Sequence, residues 1–408
     1  MKRRFFLQSA AATLALGAAT TQSAPAPIRI GMSAAFQGPS RSLGIELYRG
    51  AATYFNEVNQ RGGVAGRPIE IVARNDGYQP DPAIRNTIEL VKHEQVLLLF
   101  GYVGTPTVTR VLPLLKSLRK YVLLFPFTGA QPQREAPYDE LVFNLRASYR
   151  QETAGLVKGL LSIGCKRIGV FYQIDAYGRS GWDGVRRALG ENGLKLTAEA
   201  TYRRGSAFTL DFNPHVRILR EALVDGVICI GTYAPCAGFI RDARQSGWEV
   251  PIANLSFVGS ESLLGLLAKT SANDATRRLV TSQVVPSYHD LSLPAVRDYR
   301  LAMGATHAFP PDSVLGQEAT YQALPYSFVS FEGYLNARMV VEMLGRMQGK
   351  FELDQVSPAM ESIHNLDLGV GAPVSFARQD HQGLAEVYYT SVENGAFVPL
   401  KDWSRLKK

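Results

Sequence analysis

Cysteine is scarce in this chain: Cys165, Cys229 and Cys236 are the three thiols in 408 residues. Three cysteines exclude a disulfide framework, and without a CxxC pair they do not read as a zinc ribbon. Histidine is sparse too. His93, His215, His289, His307, His364 and His381 are scattered with no metal-ligand spacing. No GxSxG elbow, HExxH pair or P-loop occurs, and Gly369-Val370-Gly371 lacks the third glycine of a dinucleotide fingerprint. The chain therefore reads as a non-enzyme without a metal or other cofactor. Charge of one sign is modest: 44 Lys and Arg face 36 Asp and Glu, and setting aside Lys2, Arg3 and Arg4 leaves 41 against 36. No basic run interleaved with aromatics accompanies that excess, so nucleic acid is not an expected partner. What is abundant is apolar residue, 46% of the chain, enough for two or three domains with cores of their own.

Residues 1–24 open on a basic cluster, run through an apolar Ala-rich stretch from Phe5 to Ala19, and end on small polar residues. That is the layout of a secretory signal peptide, with cleavage expected near Ala24 and no lipid-anchor cysteine. Arg3-Arg4-Phe5-Phe6-Leu7 also resembles a twin-arginine export signal. No later apolar run approaches membrane-spanning length, so an exported, soluble protein is expected.

Beyond this segment, short apolar runs alternate with helical spacing. Strands are predicted at 28–32, 69–73, 96–100 and 121–125, with helices over 43–58, 83–91 and 108–118 between them. The pattern restarts with a helix over 151–162 and strands at 167–172, 195–202, 227–232, 251–254 and 279–283. This predicts two doubly wound, mostly parallel α/β sheets. A long helix over 327–347 follows. The tail predicts short antiparallel strands at 374–376, 387–391 and 397–399, around turns at Gln382-Gly383 and Asn394-Gly395.

Open parallel sheets bind ligands outside the carboxyl ends of their strands, where helix N-termini offer unpaired N–H groups. The loops at those positions carry Tyr102, Phe127, Tyr172, Tyr177, Tyr233 and Phe257, which predict an apolar cleft with hydroxyl handles. Cys229 reads as a core residue. Cys236 reads as an inert buried thiol or one touching ligand, and extension along a strand argues against a bridge between the two.

The order of pieces resembles the periplasmic solute-binding proteins of branched-chain amino acid ABC importers. The segment from Phe55 to Glu70 (FNEVNQRGGVAGRPIE), Asp175-Ala176-Tyr177-Gly178 and Phe331-Glu332-Gly333-Tyr334 carry the resemblance. It implies a type I periplasmic binding fold: two α/β lobes joined by three crossovers, with solute held between them. The implied lobes are 28–146 plus 257–370, and 147–256 plus 371–400, followed by a tail over 401–408. The implied site is Tyr102, Thr105, Phe127, Thr128, Gly129, Tyr177, Thr232, Tyr233, Ser256 and Phe257. Within it the family threonine of one loop falls on Gly129, the first-loop aromatic falls on Leu43, and the acid that pairs with a ligand ammonium falls on Ser256. Ser256 cannot supply that charge, and a buried ammonium without a carboxylate is strongly disfavoured. The ligand classes that remain are an amino-acid-like solute, a carboxylate without an amine, or a neutral amide. Glu261 reads as a substitute for the missing acid or as a helix-start charge, and Arg150 as a contact for a ligand anion or as a surface or inter-lobe ion pair. The implied role is capture for a membrane permease driven by an ATPase, by a monomer in the periplasm. The alternative is a sensor subunit that hands the signal to a receptor or kinase.

Overall fold

The alternation folds into two separate parallel sheets. The computed structural model describes residues 25–270, 274–316 and 321–407, so the signal-like segment 1–24 lies outside the described residues. The first sheet contains β1 (Ile28–Ala34), β2 (Ile69–Asn75), β3 (Leu98–Phe100), β4 (Leu123–Leu124) and β5 (Val142–Phe143). Its order is β2-β1-β3-β4-β5, with every pairing parallel. The parallel part of the second sheet contains β6 (Ile168–Gln173), β7 (Ala198–Tyr202), β8 (Gly226–Ile230), β9 (Ile252–Asn254) and β10 (Leu279–Gln283). β11 (Leu366–Asp367) and β12 (Pro373–Val374) form a small antiparallel pair of their own. β13 (Tyr388–Glu393) pairs antiparallel with β10 and β14 (Ala396–Pro399) antiparallel with β13, giving the order β14-β13-β10-β9-β8-β6-β7. β3 and β8 are buried throughout, as strands covered on both faces should be.

Two expectations about the chain's path need correction. The resemblance implies that residues 257–370 belong to the first lobe, yet β10 hydrogen-bonds to β9 and β13 in the second sheet. The crossing therefore comes after Gln283. The tail does form a hairpin at Asn394-Gly395, whose φ angles of 51° and 74° suit a tight two-residue turn. Gln382-Gly383, however, joins no pair of strands. Gly383 N donates to Asn144 O at 2.8 Å and Leu384 N to Leu145 O at 2.8 Å, so this turn lies against the segment that leaves β5.

The helices Arg41–Gln60 and Phe328–Arg346 cross closely on the first sheet. Glycine permits the approach: a Cβ at Gly50 would stand 1.8 Å from Ser330 O, and one at Gly333 2.2 Å from Leu47 O. Among the described residues, no helix is long and apolar enough to cross a membrane.

Candidate functional site: the closed cleft between the sheets

The loops at the carboxyl ends of both sets of strands face one another. From the first lobe, Thr105 begins the helix Thr105–Leu118, directly after Gly104. Gly104 has a φ of 103°, and a Cβ there would stand 2.1 Å from Tyr78 Cε2, so glycine lets the Tyr78 ring lie against this helix start. Thr128, in the next loop, places its Oγ1 2.7 Å from Thr105 Oγ1. From the second lobe, Tyr177 lies in the first turn of Ala176–Glu191, where Asp175 caps the helix by accepting from Tyr177 N at 3.0 Å. Phe257 binds the two sides together. Its ring centroid is 4.7 Å from Tyr177, 5.3 Å from Phe127 and 5.9 Å from Tyr78. Thr105, Thr128, Tyr149, Tyr177 and Phe257 are all 0% exposed, so the lobes meet side chain to side chain.

Polar contacts continue across the interface. Gln173 Nε2 donates to Tyr78 Oη at 3.2 Å, and Ser42 N donates to Tyr233 Oη at 3.3 Å. Leu43 reaches the same place: a Cβ at Gly259 would stand 2.7 Å from Leu43 Cδ2 and 3.4 Å from Tyr233 Cδ1. Thr232 immediately precedes the helix Tyr233–Gln245 and donates its N–H to Tyr202 Oη at 3.2 Å. At Gly129 a Cβ would stand 2.7 Å from Tyr149 Cδ1 and 2.8 Å from Tyr149 N, so Tyr149 occupies the space a threonine there would need.

Ser256 sits in a buried charge cluster. Glu152 accepts from Ser256 N at 2.8 Å, Ser256 Oγ at 3.0 Å and Ser282 Oγ at 2.6 Å. Arg146 donates from Nη2 to Ser256 Oγ. Arg146 Nη2 stands 3.8 Å from Glu152 Oε1, and its Nη1 stands 3.5 Å from Glu332 Oε1. Its guanidinium carbon lies 4.6 Å from the Phe127 ring centroid. Burial works against the Arg146 charge, but the Glu332 and Glu152 carboxylates outweigh it and hold its pKa above the ordinary value. Burial pushes Glu332 up to about 7, against the pull of Arg146. Arg134 falls to about 9, chiefly through burial and then through Arg146.

A profile of the family described as periplasmic binding protein matches residues 27–396. The chain belongs to that family. A crystal structure of a possible leucine/isoleucine/valine-binding protein from Rhodopirellula baltica SH 1 superposes with a TM-score of 0.83 at 31% identity, covering 96% of this chain and 100% of that one. Leu/Ile/Val-binding protein homolog 7 of Brucella abortus (strain 2308) is 24% identical over 86% of each chain. An amino acid binding protein of Pseudomonas aeruginosa is 22% identical over 54% of this chain and 58% of its own length. A Thermus thermophilus branched-chain amino acid ABC transporter protein with bound valine shares the fold, with a TM-score of 0.79 at 18% identity over 92% of this chain and 96% of that one. The architecture is thus the type I fold, in the branched-chain amino acid group, and membership implies a periplasmic or extracellular location.

Not every expected residue of this binding protein reaches the cleft. Tyr102 turns away, and its hydroxyl pairs with Thr87 Oγ1 at 3.0 Å in the outer layer with Leu99 and Val108. Gly101, at a φ of 59°, breaks the two-residue alternation that would have kept Tyr102 on the face of Phe100. Tyr172 bonds Glu199 at 2.9 Å on an exposed edge. Arg150 makes ion pairs with Glu135 and Asp183, and Glu261 caps a helix by accepting from Phe328 N at 3.1 Å. Cys236 is not carried away from Cys229. The turn after β8 leaves it close enough for Cys229 to add to burial in pushing its thiol up, and both thiols are free and buried. Tyr78, Arg146, Tyr149 and Glu152 were not among the expected residues, because they lie outside the three segments that carry the resemblance. The available signal was position: Tyr78 follows β2, and the other three flank the exit from β5.

Proposed function

We propose that this chain is the periplasmic substrate-binding component of an ABC importer, which captures a small amino-acid-like or carboxylate solute between its lobes. The observation that carries the reading is the opposed set of loops: the Thr105 and Thr128 hydroxyls on one side, Tyr177 and Tyr233 on the other, each at a strand's carboxyl end. Solute lands on Thr105, Thr128, Gly129 and Phe127 of the first lobe while the cleft is open. Closure then brings Tyr177, Thr232, Tyr233, Ser256 and Phe257 over it by hinge bending. The solute shifts that equilibrium through its greater affinity for the closed form. A monomer in this form docks on a membrane permease coupled to an ATPase. The kinship with proteins named for leucine, isoleucine and valine supports the solute class.

Calorimetry against a panel of small carboxylates, amino acids and amides tests this. Thr105→Ala and Tyr177→Phe are expected to weaken the best binder at least tenfold. Unchanged affinity in both variants refutes the site.

A further inference from the structure

We propose that Arg146 is the anion receptor of the cleft and that the captured solute is a carboxylate carrying no α-ammonium. This rests on the solute-capture reading above and narrows its ligand.

The argument begins with an imbalance of donors. Arg146 is 2% exposed, and a guanidinium has five N–H groups to satisfy. Its Nη2 bonds Ser256, while Nε and Nη1 make no hydrogen bond. Glu332 and Glu152 stand at ion-pair distance, 3.5 Å and 3.8 Å, and leave those donors unmet. The Tyr149 hydroxyl, beside Thr105 and Thr128, is buried and also outside hydrogen-bonding geometry. The acids at the interface are in the opposite condition. Glu152 already accepts three hydrogen bonds. Asp175 accepts from Gln173, Tyr177 N and Arg204, and Asp76 accepts from Ser33 and Tyr78 N. Glu332 accepts no hydrogen bond among the described residues, and its carboxylate is held at ion-pair distance, 3.5 Å, by Arg146. The other acceptors are committed, and an ammonium would add three more donors. A carboxylate supplies the planar pair of acceptors that a guanidinium fits.

The direction of approach follows from which lobe holds what. Arg146 is anchored to the first lobe: its carbonyl accepts from Arg134 at 3.0 Å and Gln382 at 2.9 Å, and its side chain lies on Phe127 beside Glu332. Ser256 and Glu152 belong to the second lobe. Opening the lobes removes both from Nη2 and turns that edge of the guanidinium toward the cleft, next to the loop that bears Thr128. A solute carboxylate binds there, and closure restores Ser256 as its neighbour.

The test uses one carbon skeleton with four head groups: leucine, 4-methylpentanoate, leucinamide and 4-methylpentanamide. 3-Phenylpropanoate and phenylalanine form a second pair. Calorimetry on the full mature chain is expected to rank each des-amino acid at least tenfold tighter than its amino acid and its amide. Arg146→Gln alone would strand two buried acids, so it is combined with Glu332→Gln and checked for folding by circular dichroism and thermal unfolding. The double variant is expected to lose at least tenfold for the carboxylates and less than twofold for the amides. Glu332→Gln alone, which removes the competing acid, is expected to tighten carboxylate binding severalfold. Amino acids binding more tightly than their des-amino forms, or a double variant with unchanged carboxylate affinity, overturns the inference and leaves solute capture standing. Binding of no compound overturns both.

Discussion

Phe257→Ala separates the energy of closing the cleft from the energy of folding. The ring belongs to a second-lobe loop, yet two of its three aromatic partners, Tyr78 and Phe127, belong to the first lobe. An aromatic pair contributes about 0.5–1.5 kcal/mol beyond its buried area. The two cross-lobe pairs are therefore worth about 1–3 kcal/mol to the closed form alone, roughly a 5- to 150-fold change in the closed-to-open ratio. Total unfolding stability should fall by more, about 3–5 kcal/mol, because the residue is 0% exposed and truncation leaves a cavity. Small-angle scattering of the ligand-free protein reads the first effect, and urea unfolding reads the second. The expected result is a larger radius of gyration for the variant together with lower stability. A variant that loses stability while its scattering curve overlays that of the parent refutes the view that Phe257 holds the lobes together.

Other outcomes follow from single contacts. Asp76 is buried, accepts from Ser33 Oγ at 2.8 Å and Tyr78 N at 2.8 Å, and burial pushes its pKa up to about 7. Its effect on stability is absent below about pH 4, where both states hold the proton. As pH rises toward 7 the unfolded chain releases that proton first, so stability falls, by up to about 4 kcal/mol. Urea titrations at pH 5 and pH 8 should therefore show a smaller decline for Asp76→Asn than for the parent, and equal declines count against it. Gly50→Ala sets a methyl 1.8 Å from a backbone oxygen and should cost about 1–3 kcal/mol, seen as a lower Tm. Gly129→Thr should destabilise to a similar degree, about 1–3 kcal/mol. Adding Tyr149→Ala should restore only part of that loss, because the Tyr149 amide stays 2.8 Å from the new Cβ, and full recovery contradicts the packing described.

The sequence exposes most of the fold because strand and helix periods differ and each apolar run is bounded by loops. Strand β10 was read at Leu279–Gln283 with both ends correct. Its sheet was not legible, since apolar alternation says that a strand is buried and not which neighbours it pairs with. At the interface between the lobes, Tyr177 and Phe257 were expected because each follows a predicted strand, whereas Thr105 and Thr128 were expected from the family resemblance. Tyr102 was misplaced because the glycine before it, at positive φ, breaks the strand alternation there. Arg146 was invisible for a different reason. A basic residue at a strand exit looks like any surface charge until tertiary packing places Glu332 and Glu152, residues from two other helices, beside it.

The bonds from Gly383 to Asn144 and from Leu384 to Leu145 tie the Gln382-Gly383 turn to the segment that runs from β5 of the first sheet toward the second lobe. Two backbones fastened side by side resist torsion far more than a lone tether does. In the opening proposed above, such a strap is expected to favour a swing about one axis, so that the same residues meet each time the cleft shuts.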